Sequence, residues 1–362
     1  MNIPFLDLSK MDSELKNALK LKFGELLDKG RFSGGEEVES FENNVSTILN
    51  SPHVISCANG TDALELALRA LNIGAGDEVI VPALTWVSTA EAVIMVGAKP
   101  VFWDTDRNGL LADDWTKAIS SRTKAVIPVH LYGKMPNMDF LMKKAKESNL
   151  FVIEDAAQAF GSFQKRKAAG TWGDVGCLSF YPTKNLGALG EAGICLTNDS
   201  KLATRIRLLS NHGQPARDQH ELVGRNSRID TIQAGFLNVF FEKLPAFQKK
   251  RKTLAAKYDE QLKSISEIQL PNGSDFGDCN LHLYVIQSKK RDLLRAFLEK
   301  KGIKTAIHYP EIVPDLKPYK VHGDFEMSRS IAKNGLSLPL NPWLKEEEIT
   351  FIISKICEFF KS

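Results

Sequence analysis

Two segments place reactive side chains directly after apolar runs. In FVIEDAAQAFG the run ends at Asp155, with Gln158 three residues later; in GCLSFYPTKNLGALGEAG, Ser179 closes another run and Lys184 follows five residues on, before a glycine-rich loop. Lysine is the residue a Schiff base requires, because its neutral amine attacks an aldehyde and can later carry a proton between two carbons. A carboxylate at a strand end can lie deep in a crevice and pair with a heterocyclic nitrogen. For pyridoxal 5′-phosphate (PLP) that nitrogen is the pyridine N1, and a neighbouring carboxylate keeps it protonated so that the ring acts as an electron sink. Taken singly, Asp155 also reads as a helix cap or salt-bridge partner and Lys184 as a solvated loop charge.

Two further segments fit the same chemistry. In SCANGTDALELALRALNIG, Gly60, Thr61 and Asp62 open an amphipathic helix carrying Leu64, Leu68 and Leu71. A helix start presents unpaired backbone N–H groups and a positive dipole end to a phosphate dianion, and the Thr61 and Ser179 hydroxyls can add to them. An ordinary Thr or Asp cap is the plainer alternative. In VPALTWVSTAEAV, Trp86 follows a strand-like run and can lie against one face of a flat ring, or else serve as a core or surface tryptophan.

Elements must hold these residues together. Between residues 54 and 200 the runs VISCA, EVIVP, KPVFWD, AVIPVHL, FVIED, VGCLSF and GICLT alternate with helical patterns. Runs buried on both faces and separated by helices require a mostly parallel, helix-covered sheet, so the fold class is α/β. In such sheets ligands gather at the carboxyl ends of the strands. After about residue 230 the pattern becomes helical, with an interruption expected at Pro245. A strand-like HLYVIQS, a helix-like RDLLRAFLEKKG, a strand-like IKTAIHYP and an amphipathic ITFIISKICEFF then predict a smaller α/β domain. The expected division is a large domain over 1–245 and a small C-terminal domain over 246–362.

The bulk properties narrow the class. With 362 residues the chain has room for two domains, and 47 basic against 44 acidic residues, interspersed to a net charge of +3, predict neither a nucleic-acid nor a membrane partner. Cys57, Cys177, Cys195, Cys279 and Cys357 are odd in number and contain no CxxC pair, which predicts core thiols and neither a disulfide framework nor a metal site. The opening MNIPFLDLSK has no apolar stretch long enough for a signal peptide, and the expectation is a cytoplasmic protein.

Together these segments resemble one family across nearly the whole chain, the DegT/DnrJ/EryC1/StrS nucleotide-sugar aminotransferases of the fold-type-I PLP architecture. CANGTDAL, GDEVIVP, PVHLYG, VIEDAAQAFG, SFYPTKNLGALG, NHGQ and VGRNSRID stand in the family's order. The resemblance implies a Schiff base at Lys184, an N1 partner at Asp155 and a ring or O3′ neighbour at Gln158. It implies phosphate ligands at Gly60, Thr61 and Ser179, with Trp86 at the ring-stacking position. Asn226, in the NSR block, would reach the phosphate of the other subunit, which implies a homodimer with shared active sites. Two departures stand out: Gly190, Glu191, Ala192 and Gly193 where relatives often read GDGG, and QPARDQH after His212 and Gly213 where relatives carry KYxH.

The activity implied is transfer of an amino group from L-glutamate to a keto group of a nucleotide-linked hexose, with Lys184 as acid and base in both halves. Arg228, His212, His308 and Tyr309 are the candidates for the sugar diphosphate, each with a structural role as the alternative. IPFLDL and GRFSGGEEVESFE resemble members that aminate C3, and CANGTDAL with NSRIDTIQA resembles members acting on UDP-linked 2-acetamido-3-keto uronic acids. A dTDP-linked 3-keto-6-deoxyhexose is the runner-up, with a 4-keto sugar behind it. Among competing classes, a sugar dehydratase of the same fold carries histidine at the lysine position, and a non-catalytic regulator is opposed by the joint presence of Lys184, Asp155, Gln158 and Ser179. A Rossmann dehydrogenase lacks the GxGxxG it needs after a strand.

Overall fold

In a computed structural model that describes residues 1–271 and 278–361, the seven apolar runs form one sheet. Its strands are β1 (His53–Cys57), β2 (Glu78–Pro82), β3 (Lys99–Trp103), β4 (Thr123–Val126), β5 (Phe151–Asp155), β8 (Val175–Ser179) and β9 (Gly193–Thr197), with a short hairpin of β6 (Phe163–Gln164) and β7 (Lys167–Ala168) off the sheet. The spatial order is β1-β9-β8-β5-β4-β2-β3. Only β9 runs against its neighbours, antiparallel to both β1 and β8, so the other six strands end at the same edge.

Strand periodicity divides the core into two layers. In β2, Val79 and Val81 face one side and Ile80 the other, and all three are fully buried. The first side is covered by α3 (Gly60–Ala70), α4 (Ser88–Met95) and α6 (Ser200–Ser210), through residues such as Ala67, Val93 and Ile206. The second is covered by α1 (Ser13–Lys29), α2 (Glu36–Leu49), α5 (Met138–Glu147) and α7 (Thr231–Leu262), through Leu15, Phe41, Leu141 and Leu237. Each such Val, Leu, Ile or Phe side chain removed from water contributes about 1.5–3 kcal/mol, and this burial fixes the strand ends on which the candidate residues sit.

A third core lies in the C-terminal part, where β10 (Tyr284–Gln287) pairs antiparallel with β11 (Gly335–Leu338) beneath α8 (Arg291–Lys300) and α10 (Glu346–Lys361). A further helix, α9 (Glu326–Asn334), leads into β11. Two expectations need correction. Pro245 does not interrupt its segment, for α7 runs through it as one helix packed along α1, α2 and α10, and that packing outweighs the single backbone hydrogen bond the proline removes. IKTAIHYP is not a strand: among the described residues its strand-like pairing is limited to isolated bridges, Ile3 with Ile303 and Ala306 with Ser337. Among the described residues no helix is long and apolar enough to cross a membrane.

Candidate active site

The common edge of the six strands collects the reactive side chains. Asp155 ends β5, and the turn after it begins with the Asp155 Oδ1 oxygen accepting the Ala157 N–H at 3.2 Å. Neighbouring strand ends are tied together, the Asp155 N–H donating to Pro128 O at 2.9 Å and the His130 N–H donating to Asp155 O at 3.0 Å. Beneath, the fully buried Glu154 accepts from His130 Nε2 at 2.8 Å and from the N–H groups of Gly170, Trp172 and Gly173, at 2.8, 2.6 and 2.8 Å. This carboxylate holds the 170–173 turn and the His130 loop against β5.

Lys184 follows β8 in a tight turn, its N–H donating to Tyr181 O at 2.8 Å. Burial drives its amine pKa down to about 8, and the nearby Asp155 carboxylate opposes that shift. Asp155 is itself raised above the usual aspartate range, first by burial, against the lowering effect of the Thr89 hydroxyl, the Ala157 N–H and the charges of Lys184 and His130. The pair therefore combines a lysine that loses its proton far more readily than a solvated one with a carboxylate deep in the crevice.

The start of α3 supplies the third part. Asn59 Oδ1 accepts the Asp62 N–H at 2.9 Å, which leaves the N–H groups of Gly60 and Thr61, at the first two helical positions, for a ligand. Gly60 lies so close to Ser179 that a Cβ on it would stand 2.7 Å from the Ser179 Cβ. Gly193, the last residue of the altered GEAG, has its own constraint: a Cβ there would meet the Asn59 carbonyl carbon and oxygen at 2.4 Å. The glycine is thus retained where the backbones of β9 and the α3 turn touch. Thr61 Oγ1 donates to Ser88 Oγ at 2.8 Å, which brings a hydroxyl from the start of α4 to the same cradle.

Gln158 is held on both sides. Its Oε1 accepts the Tyr132 N–H at 2.7 Å, and its Nε2 donates to the Tyr309 hydroxyl at 3.2 Å. The Tyr309 ring stands 5.4 Å from that of Trp86, which is 55% exposed. The Tyr132 hydroxyl donates to His308 O, and His308 Nδ1 lies 2.8 Å from Ser337 Oγ. Burial and the Lys184 charge pull the His308 pKa down to about 4, so its ring is neutral near pH 7. The 308–309 segment thereby links the C-terminal part to Gln158.

His212, Asn226 and Arg228 are placed differently. All three are exposed, on a segment that Ser227 pins to the outside of the α3 turn by donating to Asp62 Oδ2 at 2.6 Å. Arg225 pairs there with Asp62 at 3.0 Å and with Glu65 at 2.5 Å. Arg228 Nη1 donates to Asn211 Oδ1, and His220 Nδ1 lies 2.9 Å from His212 O, so the QPARDQH stretch folds back on its own loop. Among the described residues none of the three hydrogen-bonds to Lys184, Asp155 or Ser179. Sequence reasoning missed Ser88, Thr89 and Tyr132. The first two follow β2 within STAEAV, polar residues after a strand end, and that signal was available.

The model of the DegT/DnrJ/EryC1/StrS aminotransferase family matches residues 13–357. The chain belongs to that family. Its fold neighbours agree: a crystal structure of Streptomyces venezuelae DesV in complex with a ketimine intermediate superposes with a TM-score of 0.96 at 37% identity, covering 100% of this chain and 99% of DesV. A relative from Acidithiobacillus ferrooxidans, named UDP-N-acetyl-3-dehydro-alpha-D-glucosamine 3-aminotransferase, is 39% identical over 98% of this chain and 97% of its own length. Another, from Geobacillus stearothermophilus and named pleiotropic regulatory protein, is 39% identical over 100% of this chain and 99% of its own. Membership in the DegT/DnrJ/EryC1/StrS family makes the protein a PLP-dependent aminotransferase of fold type I.

Proposed function

We propose that the enzyme transfers an amino group from L-glutamate to C3 of a UDP-linked 2-acetamido-3-keto hexose, its C6 a carboxylate. The observation that carries this reading is the convergence of Lys184, Asp155 and Ser179 at the ends of β5 and β8, beside the free N–H groups of α3. These residues suit PLP: the amine with its pKa lowered to about 8 for the aldehyde, a buried carboxylate for N1, and a cradle too tight for any side chain at residue 60 for the phosphate. Bound there, PLP supplies a carbonyl that accepts the donor's nitrogen and a ring that spreads the carbanion's charge.

The chain's own residues do the rest. Lys184 Nζ would hold the cofactor and would serve as the acid and base for the proton at the substrate carbon in each half-reaction. Asp155 would pair with N1, Gln158 would neighbour the ring or O3′, and Trp86 would cover one ring face. Gly60, Thr61 and Ser179 would hold the phosphate, joined in a homodimer by Asn226 of the partner subunit. His308, Tyr309, His212 and Arg228 face the sugar diphosphate. The division into a cofactor-binding part, 1–245, and a C-terminal part, 246–362, belongs to the same proposal, with the 308–309 segment bringing the second to the substrate. The Acidithiobacillus relative's name supports amination at C3 of a UDP-linked acetamido sugar, and the likeness of CANGTDAL and NSRIDTIQA supports the C6 carboxylate.

The test is a competition assay with three keto sugars: the UDP-linked 3-keto uronic acid, its C6 alcohol, and a dTDP-linked 3-keto-6-deoxyhexose. The uronic acid should show a kcat/KM at least about tenfold above either of the others, the worth of one charge-assisted contact. Preference for the dTDP sugar would overturn the substrate while leaving the aminotransferase intact.

A further inference from the structure

Asp155 is braced by a pair of hydroxyls from α4 and the turn before it. Thr89, fully buried, donates its hydroxyl proton to Asp155 Oδ2 at 2.7 Å. Thr85, also buried, has its Oγ1 at 2.9 Å from Thr89 Oγ1. A threonine hydroxyl has one proton, and an ionised carboxylate can only accept. With the Thr89 proton committed to Asp155, Thr85 must be the donor to Thr89. The direction of the chain is therefore fixed, Thr85 to Thr89 to Asp155. The remaining bond to the carboxylate, from the Ala157 N–H, is longer at 3.2 Å and goes to the other oxygen.

We propose that Thr89 and, behind it, Thr85 are positioning residues that fix the plane of the Asp155 carboxylate toward the cofactor nitrogen and help keep it ionised in a buried crevice. The proposal rests on the reading of Asp155 as the N1 partner. A buried carboxylate facing a ring nitrogen needs both a defined orientation and compensation for lost water, and each carboxylate oxygen keeps one lone pair after these two bonds. The charged and titratable groups around Asp155 are Lys184 after β8, His130 after β4, Tyr309 in the 308–309 segment and Cys177 in β8. Among the described residues none of these hydrogen-bonds to the Asp155 carboxylate, so the side-chain brace comes from α4.

The experiment titrates full-length apoprotein with PLP across pH, for wild type and for Thr89→Val, Thr89→Ser and Thr85→Val. Valine keeps the shape of threonine and removes only the hydroxyl. In Thr89→Val the Kd for PLP should rise at least about tenfold, the effect of losing a hydrogen bond to a charged group. Affinity should also fall off at a higher pH than in wild type, because the lost bond is one that lowers the Asp155 pKa. Thr89→Ser should restore both quantities to within about threefold, and Thr85→Val should shift them in the same direction by less. A wild-type Kd and acid limb in Thr89→Val, or a serine variant as weak as the valine one, would overturn the proposal. If Thr89→Val does not fold, Thr85→Val decides, since an unmoved acid limb there removes the relay. Failure of wild-type apoprotein to bind PLP would overturn the cofactor reading itself and the relay with it, an outcome distinct from the others.

Discussion

At the residue scale the proposed reaction turns on one amine. Lys184 is pulled from the ordinary lysine value of 10.5 to about 8 by burial, with Asp155 acting in the opposite sense. A lowered lysine pKa means that the neutral, nucleophilic form takes over as pH rises through about 8, well before an unperturbed lysine would lose its proton. The rate at which apoprotein captures PLP should therefore climb with pH and level off above about 8, as followed by stopped-flow absorbance. A rate still climbing toward the value for free lysine would contradict the burial argument. Lys184, Asp155 and Ser179 could be picked out as candidates from type and position after a strand, each with a plainer alternative, whereas the role of Gln158 came only through the resemblance to the family. Thr89 is visible only as one of several polar residues after β2: the role proposed for it exists through the 2.7 Å contact to Asp155 across 66 residues of chain, which no local pattern encodes.

At the element scale the turn from β1 into α3 is the critical join. Gly193 in β9 sits against it with no room for a Cβ, so Gly193→Ala should push β9 from the Asn59–Gly60 turn. The expected cost is about 1–3 kcal/mol of stability together with weaker PLP binding, read from denaturant unfolding and cofactor titration. Gly24→Ala, in α1 with open space around it, should leave binding unchanged and stabilise the protein by about 0.5–1 kcal/mol. The strands were legible because most are buried along nearly their whole length and read as short apolar runs, β2, β5, β8 and β9 most clearly; the edge strand β3 is half-exposed and was carried by Val101, Phe102 and Trp103. The C-terminal part was less legible. IKTAIHYP has the composition of a strand, yet β11 takes the place beside β10, because GLSL, fully buried from Gly335 to Leu338, supplies the better-packed partner. Pro245 misled for the opposite reason: a local breaker was overridden by packing along the whole of α7.

At the scale of the whole molecule, the exposed Asn226 separates a one-chain site from a shared one. If it serves the partner's phosphate, a heterodimer of Lys184→Ala and Asn226→Ala chains contains one site with both residues intact. Such a heterodimer, purified with two different tags, should hold one PLP at wild-type affinity. If Asn226 acted within its own chain, no site would be intact and affinity would fall to that of Asn226→Ala. The central claim, that Lys184 carries a PLP which accepts the amino group of glutamate, is tested most directly by one absorbance experiment. Spectra of the holoenzyme are recorded before and after L-glutamate, with parallel borohydride reduction and peptide mapping. The account predicts a lysine-bound cofactor band that converts to the pyridoxamine form on adding glutamate, with the reduced label on Lys184 before the addition and absent after it. A band that does not respond to glutamate, or a label on another lysine, would contradict it.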